Sequence, residues 1–298
     1  MKKFTSSIVI FFLLSVLHAL KAQDTDLLKL VEDSKSKKEI VKNAFKSSRV
    51  INGHSMEFLR PGTMDLRILH RFGQLDQGYK NFFGLDQASM RLGFDFGITQ
   101  NLMAGVGRST FKKELDAFIK YAPFQQSRGK NSFPLTIALV SGITMNGLEW
   151  SDPARNNYFS SRLAYYFQTI LGRKISGGFS LQVTPTLVHK NLVLLASDPN
   201  DIYSLGVGGR LKLSQRVAFT WDYFYVFNPL KDNIYHNPLS VGIDIETGGH
   251  VFQLHFSNAT GMNEPTFITE TTGDWSKGEI RFGFNLSRVF QLKKKKLD

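Results

Sequence analysis

The residue types able to do chemistry in this 298-residue chain are dispersed rather than clustered. His54, His70, His189, His236, His250 and His255 show no HxxxH or HxxE spacing that would set two metal ligands on one element. His250 and His255, five apart, would face opposite sides of one strand. No metal or haem site is expected. Ser180 and His189 are nine apart, again opposite faces, and no GxSxG elbow is present, so a Ser/His/acid hydrolase is not expected and no catalytic residue is assigned. The run Gly206, Val207, Gly208, Gly209 lacks the Lys-Ser or Lys-Thr that completes a phosphate loop. The chain has no cysteine, which excludes disulfides, thiolate metal sites and cysteine nucleophiles together. The expectation is a protein without enzyme activity or cofactor.

What remains is a set of ionic and polar side chains recurring at alternate positions: Asp65, Arg67, Arg71, Arg91, Asp95, Asp116, Lys120, Arg162, Tyr166, Arg210, Lys212, Asp222, Asp244, Glu279 and Arg281. On one face of a rolled-up sheet they would line a narrow passage, weakly rich in cations, whose arginines favour anionic solutes. The alternative is that acids and bases on adjacent strands pair and close the interior.

The elements that position them are strands. From Met64 onward apolar side chains recur with period two, which puts every second residue on one face. Over Ala88 to Ile98, Leu92, Phe94 and Phe96 alternate with Arg91, Gly93, Asp95 and Gly97. In Val217 to Phe227, the face Phe219, Trp221, Tyr223, Tyr225 opposes Thr220 and Asp222. Twelve such segments follow: 64–72, 88–98, 102–109, 113–121, 134–144, 158–170, 178–189, 201–213, 216–227, 238–246, 250–257 and 279–289. A tilted membrane strand needs about 9 to 11 residues, which most of these provide. A further short strand at Ser55 to Leu59 would raise the count.

From the fifth strand on, long connections (145–157, 190–200, 228–237, 258–278) alternate with short ones (171–177, 214–215, 247–249). Outer-membrane barrels carry long loops outside and short turns on the periplasmic side, which predicts both termini in the periplasm. Two connections break the rule: 110–112 is short and 122–133 long. The loop 258–278 is polar, with Asn258, Asn263, Glu264, Thr266, Thr269, Glu270, Thr271, Thr272 and Trp275, and is a candidate for folding over the mouth or for recognising a partner or glycan.

The first 22 residues, with Lys2 and Lys3, an apolar run from Ile8 to Leu17 and Ala22 before Gln23, have the layout of a secretory signal peptide. Residues 23–62 then read as a periplasmic linker or short helix, with a lumen plug as the alternative; the barrel spans 63–290 and a basic tail 291–298. The formal charge of +12 falls to +9 once Lys2, Lys3 and Lys21 leave with the signal peptide. Lys293 to Lys296 hold four of the remaining positive charges in a solvated tail, and elsewhere the signs are mixed, so nucleic acid is not an expected partner. A soluble β-sandwich would alternate too. It is disfavoured because the apolar face persists around nearly every strand while Phe82, Phe83, Tyr158, Phe159, Phe227 and Phe290 gather near strand ends, where interfacial girdles form.

The segments His70-Arg71-Phe72-Gly73, Phe83-Gly84-Leu85-Asp86 and Gly105-Val106-Gly107-Arg108-Ser109, with Lys120 and Tyr121 after them, resemble an uncharacterised family of Bacteroidota outer-membrane β-barrels. The resemblance extends over most of the mature chain. It implies a barrel fold and an outer-membrane location, and brings no activity or site residues. The tail beyond Phe290 departs from the common pattern, in which the last strand ends the chain on an aromatic residue. The fold class expected is therefore all-β: a transmembrane, antiparallel, up-and-down barrel of about twelve strands. Its expected partners are the lipid bilayer, the outer-membrane assembly machinery and a small polar solute. The function expected is a porin-like passive or gated channel, the alternative a closed barrel serving as anchor or assembly partner.

Overall fold

A computed structural model describes residues 38–150, 152–231 and 234–292. The expected signal peptide, the first part of the expected linker and residues 293–298 of the basic tail lie outside the described residues. Twelve antiparallel strands form the wall. They are β1 (Thr63–Gln74), β2 (Ala88–Gly97), β3 (Leu102–Ser109), β4 (Leu115–Phe124), β5 (Thr136–Met145), β6 (Leu163–Lys174), β7 (Phe179–Lys190), β8 (Asp201–Lys212), β9 (Val217–Val226), β10 (Leu239–Thr247), β11 (His250–Ser257) and β12 (Arg281–Gln291). Each pairs with its neighbours in sequence, and β12 closes onto β1 with Phe284 opposite His70 and Ser287 opposite Arg67. Closure leaves no sheet edge, the condition for strands to cross hydrocarbon with every backbone group bonded.

Period-two alternation decides which way each residue faces. Along β2, Arg91, Gly93 and Asp95 are buried while Leu92, Phe94 and Phe96 between them are partly exposed. The outward face is apolar around the wall, with Val106, Ile119, Leu139, Phe167, Tyr225, Ile243 and Leu254 all exposed. Inside, small residues oppose large ones across the ladder. Gly142 pairs with Tyr166, and a Cβ on Gly142 would lie 2.2 Å from that ring; Gly107 would meet Arg91 at the same distance. Without those glycines the large inward side chains could not lie flat against the wall.

Most long connections lie at one end of the barrel and most short ones at the other; as the sequence indicated, the exceptions are the short β3–β4 connection and the long β4–β5 connection. The two-residue hairpin Gly248–Gly249 joins β10 to β11 with φ of 36° and 118°, values that favour glycine. Both described ends of the wall, Thr63 and Gln291, belong to the short-turn end. Three expectations are corrected. The sixth strand begins at Leu163, because Phe159–Arg162 turn as a 3-10 helix. Ser55 to Leu59 form no strand. The long connection after β4 contains a two-residue strand, Ser127–Arg128, paired antiparallel with Glu39–Ile40. Among the described residues, that pair belongs to a small second unit, 38–40 with Ser127–Phe133, in which the Ser127 amide donates to the Phe133 carbonyl at 2.9 Å.

Candidate functional site

The candidate site is the interior of the barrel, and two segments fill it. One is the chain before β1. Residues 43–57, expected to be linker or short helix in the periplasm with a lumen plug as the alternative, fold into the wall's interior as that alternative had it: Ala44, Phe45, Val50, Ile51, Asn52, His54, Ser55 and Met56 are all buried. The correction has a physical cause. The inward face of the wall is a cylinder of polar groups, and this irregular segment supplies backbone partners that an amphipathic helix, its own amides already bonded, could not.

The segment turns at Val50–Gly53, where the Val50 amide donates to the Gly53 carbonyl at 2.8 Å, and its tip rests on β9. One carboxylate oxygen of Asp222 accepts from the amides of Ile51, Asn52 and Gly53 at 3.3, 2.7 and 3.1 Å. Three successive N–H groups converging on one oxygen form an anion nest. Asn52 donates to Ser240 at 2.8 Å and accepts from Arg71 at 2.6 Å. Lower down, Ser48 donates to Asp95 at 3.0 Å, and Arg67 donates to Ser47 and Ser48. Lys120 reaches the carbonyls of Ser55 and Glu57, both at 2.6 Å.

The second filling segment comes from the long-loop end. Of the loop between β11 and β12, the helix α1 (Glu264–Thr269) is buried at every residue. Asn263 caps it, accepting from the Thr266 amide at 3.2 Å, and Pro265 stands in the first turn, where its missing N–H costs nothing. Phe267 meets Phe224 edge to face, ring centroids 5.1 Å apart. The two segments touch where Arg49 donates to Glu264 at 2.6 Å, with His54 Nε2 at 3.5 Å from the same oxygen and 3.3 Å from the Tyr166 hydroxyl. Burial pushes the Glu264 carboxyl up, and the Arg49 guanidinium opposes that shift.

Most of the predicted passage residues face this filled interior. Asp65, Arg67, Arg71, Arg91, Asp95, Asp116, Lys120, Tyr166, Asp222 and Asp244 are all buried there, as is Arg210. They line packed protein and engage one another as well as the inserts: Arg91 meets Asp116 through Nε at 2.8 Å and Nη2 at 2.5 Å, and Asp65 accepts from Ser287. Arg162, Glu279 and Lys212 fall elsewhere. Arg162 ends the 3-10 turn before β6, stacked 4.0 Å from the Trp150 ring, and Glu279 sits in the β11–β12 loop, accepting from the Asp274 amide at 2.9 Å. Lys212 ends β8 exposed, and Arg281, the first residue of β12, is half-buried.

Above α1 the long-loop end keeps a recess of about 80 Å³, lined among others by Lys112, Glu114, Arg162, Lys190 and Glu270. Glu270 accepts from both Lys112 and Lys190, and despite its burial those two ammonium groups hold it below the usual carboxylate range. Glu114 accepts from Asn263 at 2.5 Å; burial, with Glu270 nearby, pushes it up to about 7. Among the described residues no group of histidines and carboxylates could hold a metal ion.

The family model described as "Membrane bound beta barrel domain (DUF5777)" matches residues 45–290. No curated protein sequence matches the chain. Among solved structures, the chain is similar to the NanC porin at 10% identity, covering 76% of this chain and 98% of that one, with a TM-score of 0.48. It is also similar to the KdgM porin in complex with disordered oligogalacturonate, at 9% identity, 76% and 99% coverage and a TM-score of 0.46. A third is the outer membrane protein Omp33 of Acinetobacter baumannii, at 7% identity, 76% and 98% coverage and a TM-score of 0.39. These likenesses are too distant to carry an argument about what passes through this barrel.

Proposed function

This chain belongs to the DUF5777 family of membrane-bound β-barrels, and we propose that it acts in the outer membrane as a gated channel for small polar solutes, with its termini in the periplasm. The observation that carries this reading is how the interior is filled. The N-terminal insert joins β1 at the short-turn end and the loop enters from the long-loop end, so each is tethered at one end, and beside its apolar contacts the N-terminal one is held by hydrogen bonds and ion pairs that water can replace. Withdrawing them would leave a wall already polar enough to be wet.

Six bases of the interior wall (Arg67, Arg71, Arg91, Lys120, Lys190, Arg210) stand against five acids (Asp65, Asp95, Asp116, Asp222, Asp244). That near balance gives the wall little preference of its own. Selection for anions falls to Lys112, Lys190 and Arg162 at the long-loop end.

The test is conductance of the full chain in planar bilayers, compared with a variant in which both inserts are loosened. Gly53→Val would push a side chain into Phe224, whose ring lies 2.8 Å from a Cβ placed there, and Phe267→Ala removes the anchor of α1. Wild type should be silent or open briefly, and the variant should carry a steady, salt-dependent current. A variant that migrates as a folded barrel, with both inserts labelled by thiol reagents at added Ile51→Cys and Ile268→Cys yet no current, would retire the channel. The second reading is a closed barrel serving as an anchor, which the burial of the Arg49–Glu264 pair supports; it is favoured if neither thiol is labelled and no current appears.

A further inference from the structure

Between Val50 and Glu57 the wall side chains bind the N-terminal insert more through its main chain than through its side chains, of which Asn52 and His54 are the ones engaged. Between Val50 and Glu57, Asp222 takes the three amides of the turn, and Gln253 donates to the Val50 carbonyl at 2.5 Å. Asn285 donates to the Ile51 carbonyl at 3.1 Å. Gln182 does both: its oxygen accepts from the Met56 amide at 3.0 Å and its nitrogen donates to the His54 carbonyl at 2.6 Å, as a neighbouring strand would. Lys120 takes two further carbonyls. These five residues come from β9, β11, β12, β7 and β4, so the peptide-binding groups surround the lumen.

Contacts to main-chain atoms are indifferent to side-chain identity, and primary amides such as Gln182, Gln253 and Asn285 pair with any peptide group. The wall also holds polar atoms with no hydrogen-bond partner among the described residues: Gln168 Oε1 and Ser204 Oγ on β6 and β8, both side chains buried. Its capacity therefore exceeds what the insert uses.

We propose that the lumen is a binding site for short peptides, recognised through their backbone, and that residues 50–57 occupy it as an internal competitor. The inference rests on the gated-channel reading and specifies its solute: a segment of a few residues in an extended or turning conformation, with little demand on sequence. A peptide arriving at the wall would replace the insert's main-chain groups one for one, so that no wall donor or acceptor is left buried and unpaired during the exchange.

The test uses the full chain carrying Gly53→Val and Phe267→Ala, with a fluorescent, capped, uncharged pentapeptide of glycine and serine against maltopentaose of similar length. Equilibrium binding in detergent is measured beside conductance. The peptide should bind at least tenfold more tightly than the sugar, and adding Gln182→Ala or Asn285→Ala should weaken the peptide by about three- to tenfold each while leaving the sugar unchanged. Equal binding of the two, or peptide binding that ignores both wall changes, overturns the proposal. A variant that conducts but does not bind peptide removes the peptide site and leaves the channel; one that binds peptide but never conducts does the reverse. Should the loosened variant not fold, the otherwise native chain with Ile51→Cys decides the matter. Pentapeptide should accelerate labelling of that thiol saturably, and no acceleration overturns the site.

Discussion

The two segments that fill the barrel are held in different proportions. The N-terminal insert has no helix, and beside internal bonds such as those of the Val50 and Ser55 amides to the Gly53 and Ser48 carbonyls it leans on the wall: Asp222, Gln182, Gln253, Asn285 and Lys120 bind its main chain between Val50 and Glu57. The β11–β12 loop bonds more within itself, although Asn263, Glu264 and Glu270 also reach Glu114, Arg49 and the Lys112 and Lys190 ammonium groups. Asn263 caps α1, the Thr269 hydroxyl donates to the Pro265 carbonyl at 2.6 Å, the Thr271 hydroxyl to that of Phe267 at 2.6 Å, and Asn258 to that of Gly273 at 2.9 Å. From its surroundings the loop also takes apolar burial: Ala259, Phe267 and Ile268 join the cluster that holds Ala44, Phe45, Val50 and Met56 of the other insert, and Met262 is buried too. One insert is a guest of the wall and the other a preformed stopper. The first can be exchanged for another polar ligand, whereas the second can swing out whole without losing its internal bonds.

The largest expected effect is at the point where they meet. Arg49→Met leaves the buried Glu264 carboxylate without its partner, and removing one member of such a pair costs about 3–5 kcal/mol. Labelling of Ile51→Cys and of Ile268→Cys should both rise by about two orders of magnitude, since each insert is then released through the other. Adding Glu264→Gln should recover much of the loss, because the stranded charge is gone. If only the thiol at position 51 responds, the inserts are independent and the comparison stands without a coupling.

Phe267→Ala comes next, at about 3 kcal/mol for a buried aromatic ring, and should act on the stopper alone. Labelling of Ile268→Cys should rise about a hundredfold while that of Ile51→Cys changes little. A comparable response from position 51 would mean that the apolar contacts of the loop, rather than the polar wall, hold the N-terminal insert.

The wall was plainly legible in the sequence and the filling only as an alternative, for one physical reason. A strand between lipid and a polar interior writes its environment into alternate positions, so Leu92, Phe94 and Phe96 announced one face and Arg91 and Asp95 the other. The inserts answer to no period. Residues 43–57 owe their place to bonds with Asp222, Gln253 and Asn285, some 170 to 234 positions away. Val50, Ile51 and Met56 inside an otherwise polar stretch were the trace of burial available there. For the loop the signal was local: Asn263, Glu264 and Pro265 ahead of Phe267 and Ile268 spell a capped, half-apolar turn of helix, overlooked among the threonines.

A smaller effect should appear with pH at the long-loop end. Burial holds the Glu114 carboxyl at about 7, above its usual 4.5, so the closed form keeps a proton that an opened loop releases. The contribution to closure is complete below about pH 4.5 and is lost as pH rises through 7, on the order of 2 kcal/mol across that window. Glu270, held low by Lys190 and Lys112, acts in the other direction only at more acid pH. Labelling of Ile268→Cys, corrected for thiolate fraction, should therefore rise from pH 5 to 7.5, and Glu114→Gln should flatten the profile. A profile unchanged by that substitution would assign the pH response to the lumen instead.

The smallest effect tests the guest itself. Asp222→Asn keeps the shape of the side chain and can still offer one oxygen to the Ile51, Asn52 and Gly53 amides, but removes the charge toward which all three N–H dipoles point. Hydrogen bonds to an ionised acceptor are roughly twice as strong as neutral ones, and burying a neutral amide costs less than burying a carboxylate, so the two terms partly cancel. The net loss should be about 1 kcal/mol, read as about a fivefold rise in labelling of Ile51→Cys with Ile268→Cys unaffected. Stabilisation instead would show that desolvation of Asp222 outweighs the nest. The insert would then be bound against the wall's electrostatic preference, which makes its displacement by a neutral peptide backbone easier still.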